Sequence, residues 1–166
     1  QSLYGSTFDP WDTAANMPKF IEAEMQRPFV PEAKRPWPHY VRGWMHQSKR
    51  AAYVKYEDML GNPESALRSL LQTFLEAEPN DEEISYIVGR FSFTRMTGRK
   101  PGEESRGDFA RKGIAGDWMN HFSPEARQVF DHYAGDVLIE LGYEANHNWV
   151  QLSDAVPEAP HSSDLE

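Results

Sequence analysis

Only one stretch of this chain reads as a β-strand. Ala51-Ala-Tyr-Val-Lys-Tyr56 is short, aromatic and β-branched, and it stops at the acidic pair Glu57-Asp58. One strand makes no sheet, and even a two-stranded hairpin is marginal in water. The expectation is therefore an α/β fold in which the neighbouring strands lie on chain that precedes Gln1. These residues would then be the later part of a larger domain. The alternative is an irregular buried segment within a helical domain, and pattern alone leaves it open.

Around that segment the apolar spacing is helical. Asp12 to Met25 carries Ala14, Ala15, Phe20, Ile21 and Met25, and a helix there requires Pro18 near its start. Between Pro18 and Pro38 prolines are frequent enough to predict mostly loop. A helix over His39–Lys49 follows, with Tyr40, Val41, Trp44 and Met45 on one face. After the Gly61-Asn62-Pro63 break, Ala66, Leu67, Leu70, Leu71, Phe74 and Leu75 repeat at helical spacing, with Asn62 as N-cap and Pro63 in the first turn. The next helix is expected from Asp81 to Arg90, burying Ile84, Ile87, Val88 and Phe91. Thr97–Gly107 holds three glycines, a proline and five charged residues, and reads as a mobile loop. The last helix starts at Ser123-Pro124-Glu125 and ends at Gly142. Residues 1–150 are expected to form part of a single domain. Residues 151–166 are expected to be a disordered tail, with Leu165-Glu166 as a possible cloning remnant.

Composition narrows the function classes. With 166 residues the chain is long enough for one domain. Acidic residues outnumber basic ones by 26 to 17, a net charge of −9 that disfavours a general nucleic-acid or membrane-surface binder. Cysteine is absent, so thiol nucleophiles, thiolate–zinc sites and disulfides are excluded within it. No apolar run approaches the roughly 20 residues of a membrane span. The six histidines show no metal-ligand spacing. A cytoplasmic protein without a metal is the expectation.

One region reverses the charge balance. Arg95, Arg99, Lys100, Arg106, Arg111 and Lys112 face only Glu103, Glu104 and Asp108. Guanidinium groups grip phosphate in a fork, and glycines let backbone N–H groups approach its oxygens. A charged, solvated loop is the plainer reading of the same residues.

The string Arg111-Lys112-Gly113-Ile-Ala-Gly116-Asp117-Trp118 resembles the RKGxxGDW motif of the cytosolic-type sulfotransferases, which use 3′-phosphoadenosine 5′-phosphosulfate (PAPS). It is not a Walker P-loop. The resemblance continues upstream in order. Val54-Lys55-Tyr56-Glu57-Asp58 is similar to the family's strand ending in YED, with Asn62-Pro63 behind it, and Phe91-Ser92-Phe93-Thr-Arg-Met96 to its SFxxM segment. Gln1-Ser2-Leu3-Tyr4 is similar to the end of RDPxDVxxS.

This resemblance implies the C-terminal portion of a P-loop-like α/β sulfotransferase fold, with a parallel sheet flanked by helices. It implies PAPS, or its product PAP, as cofactor. Arg111, Lys112, Gly113 and Ser2 would serve the 3′-phosphate, and Tyr56, Phe93 and Ser92 the adenine side. The acceptor would be a small molecule bearing a hydroxyl or amine. The lysine of the phosphosulfate loop and the general-base histidine would precede Gln1, in a missing N-terminal part or on a second chain, so no catalytic residue is assigned here. His39, His46, His121 and His132 fall outside the matching motif. The family's WxxHV pattern becomes Trp37-Pro38-His39-Tyr40-Val41, and its KxxxTVxxxE dimerisation pattern is lost at Met119, Ser123, Pro124 and Gln128. The competing reading is a non-catalytic domain that holds PAP or PAPS and leaves it unchanged.

Overall fold

The computed structural model describes residues 9, 11–26, 35–46, 52–75 and 78–151. The chain divides into two compact units, residues 1–40 with 122–166, and residues 41–121.

In the first unit, α1 (Thr13–Gln26) packs along α7 (Pro124–Glu140). Ile21 and Met25 meet Ala126 and Ala134, and Met17, Phe122, Val129, Phe130 and Tyr133 close around them. Small alanines on α7 let the larger α1 side chains seat closely, so the contact buries apolar area on both helices. Gln26 Nε2 adds a hydrogen bond to the Tyr133 hydroxyl at 3.1 Å. Pro18 lies inside α1 rather than near its start, and it is buried. The expected start and stop of α7 are present. Ser123 accepts from the Ala126 N–H at 3.2 Å, and Pro124 occupies the first turn. At the other end Gly142 takes a φ of 66°, with Gly142 N–H to Ile139 O and Tyr143 N–H to Leu138 O completing a Schellman cap. Beyond it, a 3-10 turn at His147–Gln151 folds back on α7. Trp37, Phe122 and Trp149 all meet the ring of Phe130, at centroid distances of 6.0, 5.7 and 6.5 Å.

The second unit is built from α3 (Tyr56–Gly61), α4 (Pro63–Gln72), α5 (Asp81–Arg90) and α6 (Phe93–Thr97), each packed on the next. Helix α2 (Trp37–Met45) precedes them and starts two residues before the expected His39. Asn62 caps α4 through Ser65 N–H at 3.2 Å, as its spacing predicts, and Asn80 caps α5 through Glu82 N–H at 2.7 Å. Of the apolar residues expected to be buried on α5, only Ile84 is; Ile87 and Phe91 are exposed.

The α/β expectation is overturned. Among the described residues the regular structure is entirely helical, with no strand and no sheet. Residues 52–55 belong to no helix or strand, although Lys55 has an extended backbone, and Tyr56, expected to end the strand, opens α3. The physical reason is that a β-rich composition gives only an extended conformation, whereas a strand needs a hydrogen-bonded neighbour. Glu57 and Asp58, read as a strand end, sit in the first turn of α3, where carboxylates favour the helix N-terminus. Residues 152–166, including the expected tail, lie outside the described residues, as do residues 1–8.

Candidate functional site

The loop from Gly98 to Asp117 is organised by its own polar groups. It leaves α6 at Gly98, which has a φ of 72°, and returns alongside itself through Gly102 N–H to Lys112 O (2.8 Å) and Ser105 N–H to Arg111 O (2.9 Å). The segment expected to be a loop is one, without helix or strand, and its glycines and charges supply turns and ties together. A 3-10 turn at Asp117–Asn120 follows, preceded by Gly116 at a φ of 74°.

Asp117 is the centre of this arrangement. Its side chain is only 10% exposed and accepts from Arg111 Nη2, from Lys112 Nζ at 2.7 Å and from Asn120 Nδ2 at 3.0 Å. His121 Nε2 lies 3.3 Å from Oδ2, the oxygen that Arg111 also meets, whereas Lys112 and Asn120 share Oδ1. Burial pushes the carboxyl up, but the hydrogen bonds from Lys112, Asn120 and Arg111 outweigh it and hold Asp117 far below the usual carboxylate range. Arg111 bonds Glu104 through its other nitrogen at 2.6 Å. That bond, then Asp117, raises the guanidinium above its ordinary value, and the same bond lowers Glu104. Two cations are thus fixed side by side, and their carboxylate partners differ. Asp117 is shielded behind them, whereas Glu104 meets Arg111 from the exposed loop.

Gly113 takes a φ of 64°, and a Cβ there would come within 2.3–2.6 Å of the Phe93 ring. Phe93 opens α6, and the Arg99 guanidinium lies over its ring at 5.2 Å. Ser92 is the N-cap of that helix, accepting from Arg95 N–H at 3.4 Å and donating to Gly89 O at 3.2 Å. The fold therefore brings Arg111, Lys112, Gly113 and Phe93 to one place, with Ser92 holding the helix that carries Phe93. Tyr56 is at the start of α3, 55% exposed, and takes no part in the contacts just described. Ser2 lies outside the described residues. Asp117 stands in the motif and Arg99 and Glu104 among the loop charges, but nothing in the sequence assigns any of them a role. The closeness of Asp117 to Arg111 and Lys112 in sequence was the available signal.

A separate cavity of about 550 Å³ lies between residues 52–55 and α4, lined by Ala52, Val54, Lys55, Ala66 and Leu70 among others. Among the described residues, its lining includes none of the predicted site residues. Among the described residues no helix is long and apolar enough to cross a membrane, and no group of three or more His, Cys, Asp or Glu is placed to hold a metal ion.

Residues 7–142 match the family described as Sulfotransferase domain. Sulfotransferase 1E1 from Homo sapiens is 32% identical over 131 residues, covering 71% of this chain and 43% of that protein. Sulfotransferase 1E1 from Mus musculus is 34% identical over 128 residues, covering 69% and 42%. Sulfotransferase 1 family member D1 from Rattus norvegicus is 32% identical over 108 residues, covering 58% and 36%. The chain thus spans less than half the length of these relatives. No solved structure matches it significantly.

Proposed function

Because this chain belongs to the sulfotransferase domain family, we propose that it supplies the adenine and 3′-phosphate side of a PAPS site. The enzyme would transfer a sulfuryl group to a hydroxyl or amine of a small-molecule acceptor. The observation that carries the reading is the pair Arg111 and Lys112, held on one largely shielded carboxylate and still partly open to solvent. Their chemistry fits a phosphate: two adjacent cations, one with a planar fork of donors, beside a glycine backbone with positive φ.

The carboxylates decide how an anion would enter. Asp117 is shielded and multiply bonded, so it stays as the brace that aims both cations. Glu104 reaches Arg111 from an exposed loop, and an exposed ion pair is weakly held because water competes for both partners. A phosphate therefore displaces Glu104 and leaves Asp117 in place. Phe93 offers its ring to adenine; Arg99 already covers one face, which leaves at most one for stacking. Tyr56 and Ser92 belong to the adenine side and Ser2 to the phosphate side, on the strength of their motif positions alone. When bound, PAPS supplies the activated sulfuryl group. The chain's own residues bind and orient the nucleotide, and the lysine and base of transfer belong to the part of the family that this chain does not span. A cytoplasmic location is part of the reading and rests on the resemblance to cytosolic-type enzymes.

Arg111→Ala is the test. Loss of a charge-assisted bond to the 3′-phosphate should weaken PAP binding by about 10- to 100-fold in calorimetry. Binding that survives unchanged would remove the phosphate assignment. Consumption of PAPS with an acceptor, rather than binding alone, separates the enzyme from a non-catalytic binding domain.

A further inference from the structure

Arg99 gathers both limbs of the loop. Its Nη1 donates to Glu103 O at 2.6 Å and to Arg111 O at 2.8 Å, and its Nη2 donates to Ala110 O at 2.5 Å, with Asp108 Oδ2 at 3.3 Å. Its own N–H is tied to Thr97 Oγ1 at 3.1 Å, and that hydroxyl donates to Phe93 O at 2.7 Å. The side chain is 19% exposed and lies over the Phe93 ring. Three main-chain carbonyls, two from the returning limb and one from the outgoing limb, therefore converge on one guanidinium. The planar guanidinium serves them from two separate nitrogens with fixed donor directions, whereas an ammonium offers its donors from a single point.

We infer that Arg99 is a positioning residue for the 3′-phosphate subsite, acting through the main chain of Arg111. By holding the carbonyls of residues 110 and 111 from one side, it fixes the stretch of backbone from which the Arg111 side chain meets Asp117. Without it, Arg111 keeps its charge but loses its aim, and a bidentate grip depends on aim. The inference rests on the reading of Arg111 as a phosphate ligand.

The experiment compares two nucleotides that differ only in the 3′-phosphate, PAP and adenosine 5′-phosphate, in the intact protein and in Arg99→Ala and Arg99→Lys. Amide hydrogen exchange at Gly102 and Ser105 is followed in the nucleotide-free state, because those N–H groups bridge the two limbs. The expected result is faster exchange at both amides and about a tenfold or greater loss of preference for PAP. Affinity for adenosine 5′-phosphate changes little, and lysine fails to rescue. A merely structural role would lower both affinities together. Should the alanine variant fail to fold, the lysine variant carries the test. A wild-type protein that prefers PAP, with Arg99 variants that keep both its preference and its amide protection, overturns this inference alone. Faster exchange with preference unchanged does the same. A wild-type protein with no preference for PAP overturns the phosphate reading, and the role of Arg99 falls with it.

Discussion

At Gly113 the backbone takes a φ of 64°, and the space a Cβ would occupy is filled by the ring of Phe93. Two costs therefore coincide at this position. A left-handed conformation costs a non-glycine residue about 1–2 kcal/mol, and relief of the clash would drive Phe93 from its place beside the motif. Gly113→Ala should consequently lower nucleotide affinity by about tenfold or more and reduce the melting temperature together; calorimetry and a thermal melt read the two effects. An alanine variant with wild-type affinity would show that the close approach is dispensable. The same residues mark how far the sequence could be read. Arg111, Lys112 and Gly113 were found from adjacent letters in one motif. Asp117 lay in plain view, but the bonds that make it the anchor of both cations depend on how the loop folds back. Arg99 was legible only as one more charge, since the three carbonyls it binds belong to residues 103, 110 and 111.

The helix α7 and the turn that follows it show the same division at the level of elements. Its cap residues Ser123 and Gly142 act on groups a few positions away, so sequence spacing was enough to place both ends. The attachment of the His147–Gln151 turn was not foreseen. Asp131 accepts from the Trp149 indole at 2.7 Å and lies 3.0 Å from His147 Nδ1, and Gly135 leaves room for that cluster. A Cβ at Gly135 would stand 2.3 Å from Asp131 Oδ1 and 2.8 Å from His147 Nδ1. Glycine to alanine inside a helix ordinarily stabilises by roughly 0.5–1 kcal/mol. Here the methyl group displaces the carboxylate, and the buried indole N–H loses that acceptor, at a cost of about 1–3 kcal/mol. Gly135→Ala should thus destabilise by a net ~1–2 kcal/mol in chemical denaturation. The opposite sign would mean that the cluster rearranges freely. Residues 52–55 failed as a strand for the complementary reason: composition acts locally, but pairing needs a partner elsewhere.

Across the whole molecule, stability should depend on pH through His147. The hydrogen bond with Asp131 and the attraction of Asp131 and Asp136 raise its pKa above the ordinary 6.5, against a smaller opposing effect of burial. A raised folded-state pKa means that the contribution is fully present below 6.5 and is lost as pH climbs through the higher value. The melting temperature should therefore fall across that window, and His147→Gln should flatten the fall; an unchanged profile in the variant would assign the dependence to other groups. The chain as a whole carries −9, yet its cations collect in one loop, a distribution visible in the letters themselves. Family, helix ends and the phosphate-type motif were set by residues close together in sequence, because capping, turn formation and short motifs act over a few positions. Which carboxylate is shielded, which arginine spans two limbs of a loop, and whether a strand-like segment finds a partner were decided only by tertiary structure, because the first two depend on how the loop folds back on itself and the third on a neighbour that composition does not specify.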